Sequence, residues 1–127
     1  MLSSISIKNY ALINELHIDF SSGLSIITGE TGAGKSILLG ALGLVLGNRA
    51  ELSTLKNTTK KCVVEAVVGI DKYNLKDFFE TEDIDYETNT ILRREILPSG
   101  KSRAFINDTP VTLLVLTALR ARLIDIH

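Results

Sequence analysis

Cysteine occurs once in the 127 residues, at Cys62, which excludes an internal disulfide and any metal centre built from several thiolates. A lone thiol fits a reducing cytosol. Charge of one sign is not in excess either. Lysine and arginine total 14 against 15 aspartates and glutamates, giving a formal net charge of −1 and a sequence pI of about 6.1. No global positive field therefore draws the chain onto nucleic acid, and any such contact must be local or lie elsewhere in a larger protein. Long apolar runs are missing as well: the longest, Ile37 to Leu46, is broken by Gly40 and Gly43 and is too short to span a bilayer. The opening MLSSISIKNY has no basic stretch leading into an apolar one, so no export signal is expected. Internal repeats, low-complexity segments and interdomain linkers are not found.

What is present suits a modest globular core. An apolar fraction of 45% over this length makes one domain, or one lobe of a larger one. Residues 3 to 8 and 13 to 20 read as strands, the second with Ile13, Leu16, Ile18 and Phe20 marking an apolar face before the Ser21-Ser22-Gly23 turn. Leu24 to Thr28 reads as a short buried strand, and Lys35 to about Leu46 as a helix stopped by Gly47 and Asn48. CVVEAVVGI, residues 62 to 70, is a further strand with Val64, Ala66, Val68 and Ile70 on one face. Thr90 to Leu97 and Ser102 to Asn107 are strands joined by a Pro98-Ser99-Gly100-Lys101 hairpin. Thr112 to about Arg122 is an amphipathic helix entered through Pro110, and Leu123 to Ile126 begins an apolar strand. The order argues α/β with an added antiparallel sheet.

Between the third strand and the first helix lies Gly29-Glu30-Thr31-Gly32-Ala33-Gly34-Lys35-Ser36, which matches G-x-x-x-x-G-K-[ST] at every position. Such a loop turns several backbone N–H groups toward one point, where a Cβ would collide with phosphate. The helix behind it adds unsatisfied amides and the positive end of its dipole. Lys35 supplies a point charge to the β- and γ-phosphates and is the candidate catalytic group; the Ser36 hydroxyl is placed to ligate Mg2+. Thr28, which ends the preceding strand, is grouped with the loop as nucleotide-contacting. Glu30 has two readings, a catalytic base or an exposed loop residue whose backbone alone serves the phosphates. The cofactors expected are ATP and Mg2+.

Two strands precede the loop, unlike a simple nucleoside kinase. Asn74-Leu75-Lys76-Asp77 carries the letters of a GTPase N-K-x-D segment in the wrong order. The class left is the ATPases whose N-terminal lobe joins an antiparallel sheet to the P-loop core. The opening Leu2-x-x-Ile5-x-Ile7-Lys8-Asn9-Tyr10-Ala11-Leu12-Ile13 resembles the start of SMC-like and ABC-type DNA-repair ATPases. "ITGETGAGKSILLGALGLVLGNRA", "LRREILPSGKSRAFINDTPVTL" and the closing "LIDIH" are similar to blocks of the RecN family of bacterial DNA repair proteins. One departure is Gly40, where many relatives would carry aspartate.

The resemblance implies an ATPase head of the SMC class, split in sequence by a long coiled coil. Its C-terminal lobe would carry the signature motif, the acidic Walker B strand and the switch histidine. A Gly-Gln pair is expected after the residue matching His127, its glutamine serving Mg2+ and the γ-phosphate. No apolar strand ending in Asp-Glu and no S-G-G segment occurs in these residues. Residues 1–127 are therefore expected to be the N-terminal lobe of such a head. The implied partners are ATP, the C-terminal lobe of the same parent chain, a second head in a homodimer, and DNA through the parent. No membrane partner is implied, and the location is cytoplasmic, nucleoid-associated in the parent. The resemblance also sets Arg49 where SMC-like heads carry an arginine reaching toward nucleotide or DNA, against a plain helix-end arginine. It sets Asn9 and Tyr10 beside the adenine, against a turn role and core packing.

Lys56, Lys60 and Lys61, with Arg93, Arg94, Lys101 and Arg103, could form a DNA-phosphate surface, but alternation along strands denies the arginines one shared face. The acidic residues Asp77, Glu80, Glu82, Asp83, Asp85 and Glu87, around a short helical piece with Phe78 and Phe79, read as a solvated connection or as a metal or partner site. His17 reads as an exposed strand residue. A self-contained P-loop kinase or regulatory nucleotide-binding module remains the alternative and needs an acid beside Ser36, for which Asp125 is the candidate. An ABC-transporter subunit would need a membrane partner and another base-stacking aromatic, and the hairpin block argues against it. The first reading carries a direct expectation. The purified 127-residue chain should bind ATP·Mg2+ weakly and release negligible phosphate, and robust turnover abolished by Lys35→Ala would overturn it.

Overall fold

Alternation of polarity at a period of two sends successive side chains to opposite faces of a strand, and β-sheet assembly follows from it. The computed structural model describes residues 1–20, 32–50 and 54–124. Along them run β1 (Leu2–Tyr10), β2 (Ile13–Asp19), α1 (Gly32–Val45), β3 (Cys62–Gly69), α2 (Lys76–Thr81), β4 (Asn89–Ile96), β5 (Ser102–Ile106), β6 (Thr109–Val111) and α3 (Leu113–Ile124). The strands form a six-stranded sheet in the order β2-β1-β3-β4-β5-β6, with every neighbouring pair antiparallel. The strand expected at Leu24 to Thr28 lies outside the described residues.

Register decides which side chains meet. On one face Ile5, Ala66, Leu92 and Ile106 form a row across four strands. The next row runs Ile7, Val64, Arg94, Ala104, Val111. Helix α1 packs against β3, β4 and β1 and buries Ala41, Leu44 and Val45 in the same core. Helix α3 packs on β5 and contributes Leu116 and Leu119. Its start is capped by Thr112, whose Oγ1 accepts the Val115 amide at 3.2 Å. The short α2 inserts Phe78 and Phe79, with Tyr86 edge-on to Phe79 at 5.5 Å.

The opposite face of the sheet is polar and centres on Arg93. Its Nη1 donates to Asp108 at 2.8 Å and lies 3.7 Å from Glu65; its Nε is 3.3 Å from Glu95. The guanidinium also stacks 4.3 Å above the Phe105 ring. The Asp108 hydrogen bond, foremost among these partners, raises the Arg93 pKa above its ordinary value. Lys61 and Arg103 add their charges to Glu95 at 3.5 and 3.6 Å.

Three expectations need correction. Pro110 does not lead into the last helix; it lies in β6, opposite Phe105. β6 is an edge strand, where the missing proline N–H leaves no ladder bond broken. It is reached by a two-residue turn at Asn107 and Asp108, whose φ of 50° and 67° are those of a type I′ hairpin. Leu123 and Ile124 are not the start of a strand but the last residues of α3. The first helix begins at Gly32, within the glycine loop, three residues before the expected Lys35. Asp125 and His127 lie outside the described residues.

Gly40 has a packing reason. A Cβ there would collide with the Tyr10 hydroxyl, with the ring carbon behind it at 3.5 Å, so a larger residue enters only if the Tyr10 ring shifts. Glycine to alanine at an open helical position would gain about 0.5–1 kcal/mol. Gly40→Ala should instead lose about 1–3 kcal/mol, as overpacking does, and become neutral or stabilising when combined with Tyr10→Phe. Urea unfolding of the four proteins of that cycle measures it. Cys62, fully buried in the core, gives a second expectation. Burial pushes its thiol from 9.0 up to about 11. Burial, and secondarily the charge of Cys62, raises the Tyr10 hydroxyl. Above the unfolded thiol's pKa only the unfolded chain ionises, so stability is full below pH 9 and falls as pH rises toward 11. The urea midpoint should decline over that window, and Cys62→Ala should flatten the decline while lowering stability at every pH.

Candidate functional site

The first turn of α1 is where a helix leaves four amides without intrahelical acceptors and presents the positive end of its dipole. Gly32, Ala33, Gly34, Lys35 and Ser36 of the glycine loop fall in that turn and the residues just after it. Gly34, Lys35 and Ser36 are exposed, and no acidic side chain sits in the first turn to compete for the dipole. An anion approaching this end meets backbone amides, an ammonium and a hydroxyl together. Thr28, Gly29, Glu30 and Thr31, the rest of the expected cradle, lie outside the described residues.

The far end of α1 is anchored in three ways. Gly47, with φ 108°, closes a Schellman turn in which the Asn48 amide donates to Gly43 at 2.9 Å and the Gly47 amide to Leu44 at 3.1 Å. Arg94 reaches up from the apolar row of β4, and its Nη1 donates to the carbonyls of Leu44 and Asn48, each at 2.8 Å. Its Nη2 donates to Ser102 Oγ at 3.2 Å, which ties in β5. From α3, Arg120 donates to Asn48 Oδ1 at 2.9 Å. Arg94 is 1% exposed, and burial lowers its pKa from the ordinary guanidinium value. A cation at a helix C-terminus meets the negative end of the dipole, so the placement is electrostatically matched.

Other residues expected at a site are distributed elsewhere. Asn9, buried at the end of β1 with φ 55°, accepts the Asn57 amide at 2.7 Å. Its Nδ2 donates to the carbonyls of Asn57, Lys60 and Lys61 at 2.9, 3.0 and 3.3 Å. The amide thus spends both its polar atoms holding the 57–61 loop onto the sheet. Tyr10 packs in the core against α1. Arg49 is exposed past the C-terminal end of α1, which lies about 15 Å along the axis from Lys35. The basic residues divide as alternation requires: Arg93, Arg103 and Lys61 share carboxylates on the open face, while Arg94 lies in the core. Lys56 donates to Asn14 Oδ1 at 2.7 Å. The six acidic residues between positions 77 and 87 are all exposed, and among the described residues no group of three His, Cys, Asp or Glu side chains could hold a metal ion. His17 is exposed, its Nδ1 2.7 Å from Ser6 Oγ. Arg94 as a helix anchor was not anticipated, although its place in phase with Leu92 and Ile96 carried the signal. No helix among the described residues is long and apolar enough to cross a membrane.

Against known proteins, residues 4–117 match the model of an AAA domain. Over its full length the chain is 43% identical to the DNA repair protein RecN of Vibrio cholerae, of which it covers 23%. It is 39% identical to RecN of Haemophilus influenzae, covering 24%, and 36% identical to RecN of Bacillus subtilis, covering 22%. The chain thus spans about a quarter of the length of the curated relatives it matches. Among solved structures it resembles one from work on ATP-driven dimerization and DNA-stimulated activation of SMC ATPases. The TM-score there is 0.74 at 21% identity, with 97% of this chain and 80% of the other covered. It also resembles the recombination mediator RecF, with a TM-score of 0.65 at 16% identity over 91% of this chain and 29% of that one. The fold is that of SMC-head and RecF ATPase domains.

Proposed function

The chain belongs to the AAA domain family and is RecN-like over its whole length, and from that premise we propose that it is the N-terminal ATP-binding lobe of an ATPase head acting in double-strand-break repair and recombination. The observation that carries this reading is the first turn of α1, which holds no acidic residue, with Gly34, Lys35 and Ser36 exposed there. These groups fit a triphosphate with its metal: amides and an ammonium for the phosphate oxygens, and a hydroxyl, a hard oxygen donor, for Mg2+. Lys35 would hold the β- and γ-phosphates and stabilise charge that develops between them, and Ser36 would hold the metal. Mg2+, when bound, supplies Lewis-acid neutralisation of the phosphate oxygens.

Hydrolysis needs groups that this lobe does not supply. The water-activating acid and the signature motif are assigned to a C-terminal lobe of the parent and to a second head, so turnover follows head dimerisation. DNA is engaged by the parent, whose location is the cytoplasm. The RecN names of the curated relatives support this assignment, as does the fold shared with SMC-type ATPases.

In the full-length protein, titration with ATP in the presence and absence of Mg2+ tests the reading. Lys35→Ala should weaken binding roughly ten- to a hundredfold, the worth of a charge-assisted hydrogen bond. Ser36→Ala should leave metal-free binding intact and abolish the gain on adding Mg2+. Equal affinity of the Lys35→Ala and parent proteins would sink the proposal.

A further inference from the structure

We infer that Arg94 is a positioning residue for the nucleotide site, acting through α1 from the end opposite the phosphates. The inference rests on the reading that α1 begins at that site. Arg94 lies in a row of apolar side chains, between Val64 and Ala104, at 1% exposure. A charge in such a place is costly, and a methionine of similar volume would pack there with no desolvation cost. Its Nε has no hydrogen-bond partner among the described residues, so burial of the guanidinium is not even fully compensated. What the arginine provides and methionine cannot is the fork: one nitrogen on the Leu44 and Asn48 carbonyls, the other on Ser102 of β5.

Those contacts fix where the rod ends. Leu44, which Arg94 holds, is nine residues after Lys35, about 14 Å along α1, so Arg94 makes no contact with phosphates at Lys35, and the charge-keeping Arg94→Lys variant separates charge from position. Position is transmitted instead. Pinned at its C-terminal end to β4 and β5, and through Asn48 and Arg120 to α3, α1 is restrained from sliding along or rotating about its axis. The first-turn amides, Lys35 and Ser36 are thereby held in one orientation toward the ligand. Misplacement by a fraction of an ångström is enough to weaken hydrogen bonds to phosphate oxygens.

The test uses the full-length protein and its Arg94→Met, Arg94→Lys and Phe79→Leu variants, with ATP·Mg2+ affinity, thermal stability and amide hydrogen exchange as readouts. Phe79 is a buried α2 residue packed edge-on against Phe78 and Tyr86 and controls for general loss of stability. Arg94→Met should bind ATP·Mg2+ roughly three- to tenfold more weakly, the scale of lost terminal contacts, while Phe79→Leu binds as the parent does. Because the effect is one of position, the fold-change should be the same at low and high salt. Arg94→Lys, which keeps the charge without the fork, should fall between, and serves in place of the methionine variant if that one does not fold. Nucleotide-induced protection of the Lys35 and Ser36 amides should fall in parallel. Parent-like affinity in a folded Arg94 variant overturns the inference alone. An equal loss in Phe79→Leu, or a fold-change that disappears at high salt, overturns it too. Absence of nucleotide binding by the parent protein overturns the functional reading and this inference with it.

Discussion

One guanidinium joins the sheet to the end of its first helix. Arg94 rises from the centre of β4 into an otherwise apolar layer and donates to two carbonyls at the end of α1 and to a serine on β5. The Leu44 carbonyl, which already accepts the Gly47 amide at 3.1 Å, takes Arg94 as a second donor, and the Asn48 carbonyl takes the same nitrogen. The buried arginine has few acceptors in a layer of Leu, Ile and Val, and these carbonyls supply two. The result couples the sheet, the hairpin strand β5 and the last turn of α1, while Arg120 brings α3 onto the same Asn48. Gly47 belongs to this joint as well. A Cβ there would meet Thr117 Cγ2 at 2.6 Å, so the left-handed turn and the approach of α3 both require glycine.

Arg93, its neighbour in sequence, meets the opposite fate for a simple reason. The strand's period of two turns it to the open face, where Glu65, Glu95, Asp108 and the Phe105 ring surround it. The pairs with Glu65 and Asp108 keep contact with solvent, unlike that with buried Glu95, and contribute little each, about 0–1 kcal/mol. Their effect here is geometric: Asp108, in the left-handed turn between β5 and β6, is tied back to β4. Asn107 secures the other side of that turn. It accepts the Ile91 amide and donates to the Asp85 carbonyl, both at 2.9 Å.

Much of the architecture was legible because it depends on local patterning. The alternation in residues 62 to 70 marks β3, and Cys62, Val64, Ala66, Val68 and Ile70 are all buried as that period requires. The hairpin at residues 98 to 101 and the stop at Gly47 and Asn48 stand where turn chemistry puts them. β6 escaped notice because three residues carry no readable period, and its proline pointed to a helix start instead. The end of α3 was misplaced because Leu123 and Ile124 are as suitable for a strand as for a last helical turn. Of the candidate site, the glycine-loop match put Lys35 and Ser36 at the beginning of a helix, which the structure starts three residues earlier, at Gly32. The arginine that anchors that helix is 58 positions beyond Ser36 and belongs to no motif.

By itself the sequence determined the strand phases, the helix that begins in the glycine loop and the chemistry offered at its first turn. These follow from the spacing of neighbouring residues and from which of them tolerate a tight turn. Only the tertiary structure decided that Arg94 faces the core as an anchor, that the Tyr10 ring must shift before anything larger than glycine fits at position 40, and that Asn9 holds the 57–61 loop. Those outcomes depend on which side chains the strand register brings face to face, and register is set by the packing of the whole sheet rather than by any segment of it.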